Sequence, residues 1–111
     1  MSEIFNLNVC EISSLIQNKE LKAEAVLSSY LENIKKHNGD INAIVSQVPS
    51  DQLLEQANKI DSMDFKEIKA KPLLGIPIAI KDLEDTKGIR TTYGSKIFEQ
   101  NIPKQDGKIA E

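Results

Sequence analysis

The 111-residue sequence has one cysteine, one histidine and no tryptophan. With Cys10 alone, no internal disulfide can form and no cysteine-based metal site fits. That usage suits a reducing cytoplasm. The lone His37 cannot build a histidine cluster. An excess of positive charge is also missing: the net charge is −3, the pI is about 5.2, and the basic residues are scattered. Direct nucleic-acid binding, which needs a clustered basic face, is therefore not expected. The longest nearly unbroken apolar run, Pro72 to Ile80, is far short of the ~20 residues that span a bilayer. No lysine or arginine precedes Lys19, so no charged region leads into an apolar targeting stretch. The expectation is a soluble cytoplasmic chain without a membrane partner, internal repeats or low-complexity tracts.

What is present is ordinary for a globular protein: 40% hydrophobic and 28% charged residues, in a length that fits one domain or part of one. The first half reads as helical. Asn8 can cap a helix, with Glu11 in the capping-box position and Val9, Ile12, Leu15 and Ile16 on one face. Ala23, Val26, Leu27, Tyr30, Leu31 and Ile34 follow the i, i+3, i+4, i+7 spacing of a second helix, which Gly39 should stop. Ile41 to Val48 alternates and is rich in β-branched residues, which predicts a strand. Ser50 or Asp51 opens a third helix with Leu53, Leu54, Ala57 and Ile60 inward, and the charged, aperiodic stretch from Asp61 to Lys71 reads as a loop.

The character then changes. Leu73 to Ile80 is a continuous apolar run, the signature of a strand buried on both faces. Asp85 to Gly88 reads as a turn, Ile89 to Tyr93 as a second short strand, and Asp106 as the N-cap of a fourth helix. The fold class is thus α/β. N-terminal helices pack on the first strands of a larger mixed sheet, and the domain is incomplete within 1–111. Residues 1–71 form a mainly helical arm and 72–111 the lysine-bearing strand segment.

Chemistry concentrates at Gly75 to Asp82. On a strand, Ile76, Ile78 and Ile80 share one face, while Pro77, Ala79 and Lys81 share the other. Lys81 projects beside small neighbours that leave space above the sheet. A lysine drawn into an apolar cavity loses basicity and can serve as a general base. The plainer reading is that a lysine closing a buried strand marks where the strand meets water, and the residues alone favour it.

A resemblance reverses that order. Pro72 through Asp82 resembles the lysine segment of the amidase signature family, and Gly88 through Ser95 resembles that family's next stretch. Pro103 and Asp106 match a later proline and aspartate, and the two helices followed by Ile41 to Val45 resemble its N-terminal region. The similarity covers nearly the whole chain. It implies amide hydrolysis, or ammonia transfer from an amide donor, by a serine nucleophile, a second serine held through a cis peptide bond, and a lysine that activates the bridging serine. Lys81 is the residue here that matches this triad. No cofactor and no metal are implied.

The family's two serines lie in a serine- and glycine-rich segment, and none of the serines of this sequence, Ser2 to Ser95, lies in one. Gly107 and Lys108 also depart from the small and apolar residues expected after the matched aspartate. These 111 residues are therefore expected to hold the lysine of an amide hydrolase without its nucleophile, relay or oxyanion hole, and to be inactive alone. A small amide would be the substrate only of a complete enzyme. Two alternatives stand beside this reading: a fragment of an aminoacyl-tRNA amidotransferase A subunit, and a non-catalytic module that docks on a protein partner or on itself through exposed apolar faces.

The remaining features have bland readings. Asp82, Glu84 and Asp85 suit a solvated turn rather than a metal site, with ordering of the lysine loop as a second role for Asp82. Thr91, Thr92 and Ser95 read as a short strand and turn rather than as pocket lining. Cys10 is expected to be a buried, inert thiol, and His37 a surface residue at a helix end.

Overall fold

The structure is a computed structural model that describes residues 4–111. Two compact units divide it: one holds the chain up to Asn42 together with Pro49–Pro77, the other Ala43–Val48 together with Ile78–Glu111.

The first unit is helical: a 3-10 turn at Ile4–Asn6, then α1 (Val9–Gln17), α2 (Ala23–Ile41), α3 (Ser50–Asp61) and α4 (Phe65–Lys69). The expected capping box opens α1. Asn8 Oδ1 accepts the Glu11 N–H at 3.0 Å, and Glu11 Oε2 accepts the Asn8 N–H at 2.7 Å. Buried Ile12 and Ile16 form its inner stripe, whereas Val9 and Cys10 are exposed. The buried thiol expected for Cys10 is thus corrected: position 10 falls on the solvent side of a stripe that begins at Ile12.

Helix α2 packs on two sides. Val26 and Tyr30 join Ile4, Ile12, Ile16 and Ile68 in one cluster. Ala23, Leu27 and Leu31 meet Leu53, Leu54, Ala57 and Ile60 of α3 in another. No local side chain caps α2, because Lys22 precedes it. Its N-terminal donors are satisfied from α3 instead: the Asp61 carboxylate accepts the Ala23 N–H at 2.7 Å and the Glu24 N–H at 3.1 Å. A carboxylate at this end also complements the helix dipole.

The C-terminus of α2 departs from expectation. Gly39 does not stop the helix, which runs on to Ile41 and ends at Asn42 in the left-handed conformation, φ 53°. A glycine ends a helix only by taking that conformation, and here asparagine, which also tolerates it, does so. The strand read at Ile41 to Val48 is absent for the same reason: Ile41 is helical, and the residues beyond it are irregular. Helix α3 begins at Ser50 as expected. The supposed loop after Asp61 contains α4, opened by a second capping box in which Asp64 Oδ1 accepts the Glu67 N–H at 2.9 Å and Glu67 Oε2 accepts the Asp64 N–H at 3.2 Å.

After α4 the chain crosses the first unit at Gly75. With φ 87°, an added Cβ would lie 3.0 Å from Ile16 Cδ1 and 3.2 Å from Ala23 Cβ. Leu74 and Ile76 flank this contact and pack on the main cluster.

The second unit is irregular. Among the described residues its sole β-pairing is an isolated bridge between Thr86 and Ile89. The strands read at Leu73 to Ile80 and Ile89 to Tyr93 are therefore not formed, and Ile78 is 79% exposed. A strand needs a neighbouring backbone to bond, and these residues supply none along its length. The helix read at Asp106 is absent too, since the Asp106 carboxylate accepts the Lys87 N–H at 2.7 Å instead of capping its own chain. All of the buried hydrophobic side chains among the described residues belong to the first unit. The second is held by polar bonds, with Thr91 buried among them.

Candidate active-site segment

Lys81 lies in the second unit and is exposed. Its side chain makes no ion pair or hydrogen bond among the described residues. Its neighbours Ile78 and Ala79 are exposed as well, so the cavity expected above a strand face is not formed here. The backbone of Lys81 is fixed: its carbonyl accepts the Glu84 N–H at 3.0 Å, which closes a turn over residues 81–84.

That turn is fastened at two points. Asp82 Oδ1 accepts the Thr92 backbone N–H at 2.7 Å, and Asp82 Oδ2 accepts the Thr92 hydroxyl. Three residues on, Asp85 accepts the Tyr93 hydroxyl through its side chain, while its carbonyl accepts the Gly107 N–H at 2.8 Å. Tyr93 takes φ 54°, and the Gly94 N–H donates back to Thr92 Oγ1 at 3.3 Å. Consecutive residues 92 and 93 thus receive two carboxylates that stand three positions apart. A third link holds the far side, where Asn101 accepts the Thr91 N–H at 3.0 Å through its carbonyl and its amide donates to the Thr91 carbonyl at 2.9 Å.

The electrostatics follow the bonds. The Thr92 hydroxyl, and after it the Thr92 N–H, hold the Asp82 carboxyl below the ordinary carboxylate value. Burial opposes this, and the Gly94 N–H and the Arg90 charge add smaller help. Tyr93 shifts the other way: its bond to the Asp85 carboxylate, then burial and the Asp85 charge, push the phenol above its ordinary value.

Sequence reasoning placed Thr91, Thr92 and Ser95 in a strand and a turn. The turn exists at Tyr93 and Gly94, and Ser95 Oγ accepts the Ile97 N–H at 3.4 Å to start a 3-10 turn, but no strand precedes it. Ordering of the lysine loop by Asp82 was legible as an option, whereas its partner Thr92 and the parallel roles of Asp85 and Asp106 were not. Among the described residues no three or more His, Cys, Asp or Glu side chains are grouped to hold a metal ion. No helix among them is long and apolar enough to cross a membrane.

Comparison with known proteins places this segment. Residues 25–111 match the Amidase family. The chain is 40% identical over 109 residues to the A subunit of the glutamyl-tRNA(Gln) amidotransferase of Caldanaerobacter subterraneus subsp. tengcongensis, covering 98% of this chain and 22% of that protein. It is 37% identical over 109 residues to the corresponding A subunit of Koribacter versatilis, covering 96% and 22%. For that of Streptomyces coelicolor the identity is 36% over 111 residues, covering 100% and 22%. The chain thus spans about a fifth of the length of these relatives. No solved structure matches it significantly. The family match runs through Lys81, its anchored turn and every residue of the segment after it, and the chain belongs to the amidase family.

Proposed function

We propose that these residues supply the lysine of a Ser–cis-Ser–Lys amide hydrolase, with residues 1–71 as a supporting arm and 72–111 as the lysine-bearing portion. The observation that carries the reading is the family match across residues 25–111, which includes Lys81. In this reading Lys81 is the base: it draws a proton from a bridging serine, which in turn relays the proton of the nucleophilic serine as that oxygen attacks the amide carbon. Neutral lysine is required for this step, so the complete fold must desolvate a side chain that is exposed here. The apolar run from Ile76 to Ile80 is suited to that change. With Ile78 79% exposed, it becomes a strand once neighbouring strands of a larger sheet bond its backbone. The 111 residues contain no serine- and glycine-rich segment, and they do not turn over amides by themselves.

The relatives favour one branch of this family. Each is named as the A subunit of a glutamyl-tRNA(Gln) amidotransferase, so that reading is preferred here to that of a general amidase. Its amide is then an ammonia donor such as glutamine, and the setting is cytoplasmic.

The test is a hybrid protein. Residues 1–111 replace the matching segment of the Streptomyces coelicolor relative, and ammonia release from glutamine and simple amides is measured for the hybrid and for the pure 111-residue chain. The hybrid is expected to be active and the isolated chain inert. Serine-dependent turnover by the isolated chain, or a folded hybrid without activity, contradicts the proposal.

A further inference from the structure

We propose that Asp82 and Thr92 are the positioning pair of the lysine segment, fixing the backbone direction from which Lys81 projects. This rests on the reading of Lys81 as the base. Three observations carry it.

The first is that the Lys81 side chain has no partner among the described residues, so only its backbone can set where the amine goes. The second is that this backbone is the first residue of the 81–84 turn, and the second residue of that turn is Asp82. The third is the form of the Asp82 contact. Both carboxylate oxygens engage one residue, one on its N–H and one on its hydroxyl. A single bond fixes a distance and leaves rotation free, whereas two bonds to one residue fix both. The Thr92 hydroxyl is itself steadied by the Gly94 N–H, across a Tyr93 whose own hydroxyl is bound by Asp85.

Threonine is also the residue type that fits. Serine offers the same hydroxyl, and valine the same shape without it. The pair therefore has a conservative variant that should work and an isosteric one that should not.

The experiment uses the isotopically labelled 111-residue chain. It reads hydrogen exchange at the Thr92 amide, nitrogen relaxation at the Lys81 and Glu84 amides, and the pH dependence of the Lys81 amide shift. In Asp82→Ala the Thr92 amide is expected to exchange roughly tenfold faster or more, the loss expected for a charge-assisted bond, and in Thr92→Val the amide of residue 92, which keeps one of the two bonds, is expected to exchange faster by a smaller factor. Lys81 is expected to lose order in both, and Thr92→Ser to restore it. In the natural sequence the Lys81 amide follows the titration of the Asp82 carboxyl, and in Thr92→Val, where the hydroxyl bond is lost, that titration moves up toward the ordinary carboxylate value. Asp82→Asn is run alongside, so that the reading does not depend on one variant, and the Val26 amide in the helical unit reports that the fold is intact. If Lys81 stays ordered while the Thr92 amide opens, the positioning role is overturned, whatever Lys81 does in catalysis. The base role is judged separately, by loss of activity on replacing Lys81 in the hybrid.

Discussion

The Asp82 carboxylate holds Thr92 by both oxygens, at 2.7 Å to the backbone N–H and through the hydroxyl, and so closes the loop 82–92, which begins one residue after Lys81. In a unit without a hydrophobic core, bonds of this kind take over the work that packing does elsewhere. Asp85 to Tyr93 and Asp106 to the Lys87 N–H repeat the device. The segment around the lysine is therefore polar in its construction, and its stability should answer to pH.

Asp82 gives the acid limb. Its carboxyl titrates below the ordinary value because Thr92 bonds its charged form. The associated stability is fully present above the unfolded value of about 4 and is lost as pH falls through the lower folded value. Unfolding measured from neutral to strongly acidic pH should show this loss, and Asp82→Asn should flatten it. Identical acid profiles for the two proteins would refute the assignment.

Tyr93 gives the alkaline limb. Its raised value means that the bond to Asp85 contributes below the unfolded value of about 10 and is lost as pH rises through the folded one. In a Tyr30→Phe background, tyrosinate absorbance should rise above the pH of free tyrosine. Adding Asp85→Asn should move the transition back down.

Asp61 is the cap that α2 cannot make for itself. Asp61→Ala leaves the Ala23 and Glu24 N–H groups without their acceptor and should cost about 1–2 kcal/mol in chemical denaturation. Asp61→Asn should recover part of this, because the amide oxygen still accepts.

Two glycines should respond with opposite sign. Gly75→Ala puts a Cβ against Ile16 and Ala23 at φ 87° and should destabilise by more than about 1 kcal/mol. Gly39→Ala, in the helix with nothing within 4 Å, should stabilise by about 0.5–1 kcal/mol. Equal effects in a thermal or denaturant series would contradict the described paths of both residues.

The helical unit was largely legible because its signals are local. Asn8 with Glu11, the apolar spacing from Ala23 to Ile34, and the start at Ser50 each act within a few residues. Helix α4 escaped because five residues carry no readable periodicity, although Asp64 and Glu67 stand at capping-box spacing. The end of α2 was misread because glycine and asparagine compete for one left-handed position, and Asn42 holds it. The strands failed for a different reason. Ile76 to Ile80 has the composition of a buried strand, but composition cannot provide the adjacent backbone that makes one. Lys81 was singled out through its family resemblance, whereas Thr92, the partner of neighbouring Asp82, lies ten residues further on, beyond the reach of any local pattern.

The most direct test of the account is ammonia release by the hybrid enzyme carrying residues 1–111, with Lys81 replaced by alanine. The account predicts a folded protein that still binds its amide but turns it over roughly a hundredfold to ten-thousandfold more slowly, the loss typical of a removed general base. A folded Lys81→Ala hybrid with unchanged turnover would contradict the account at its centre.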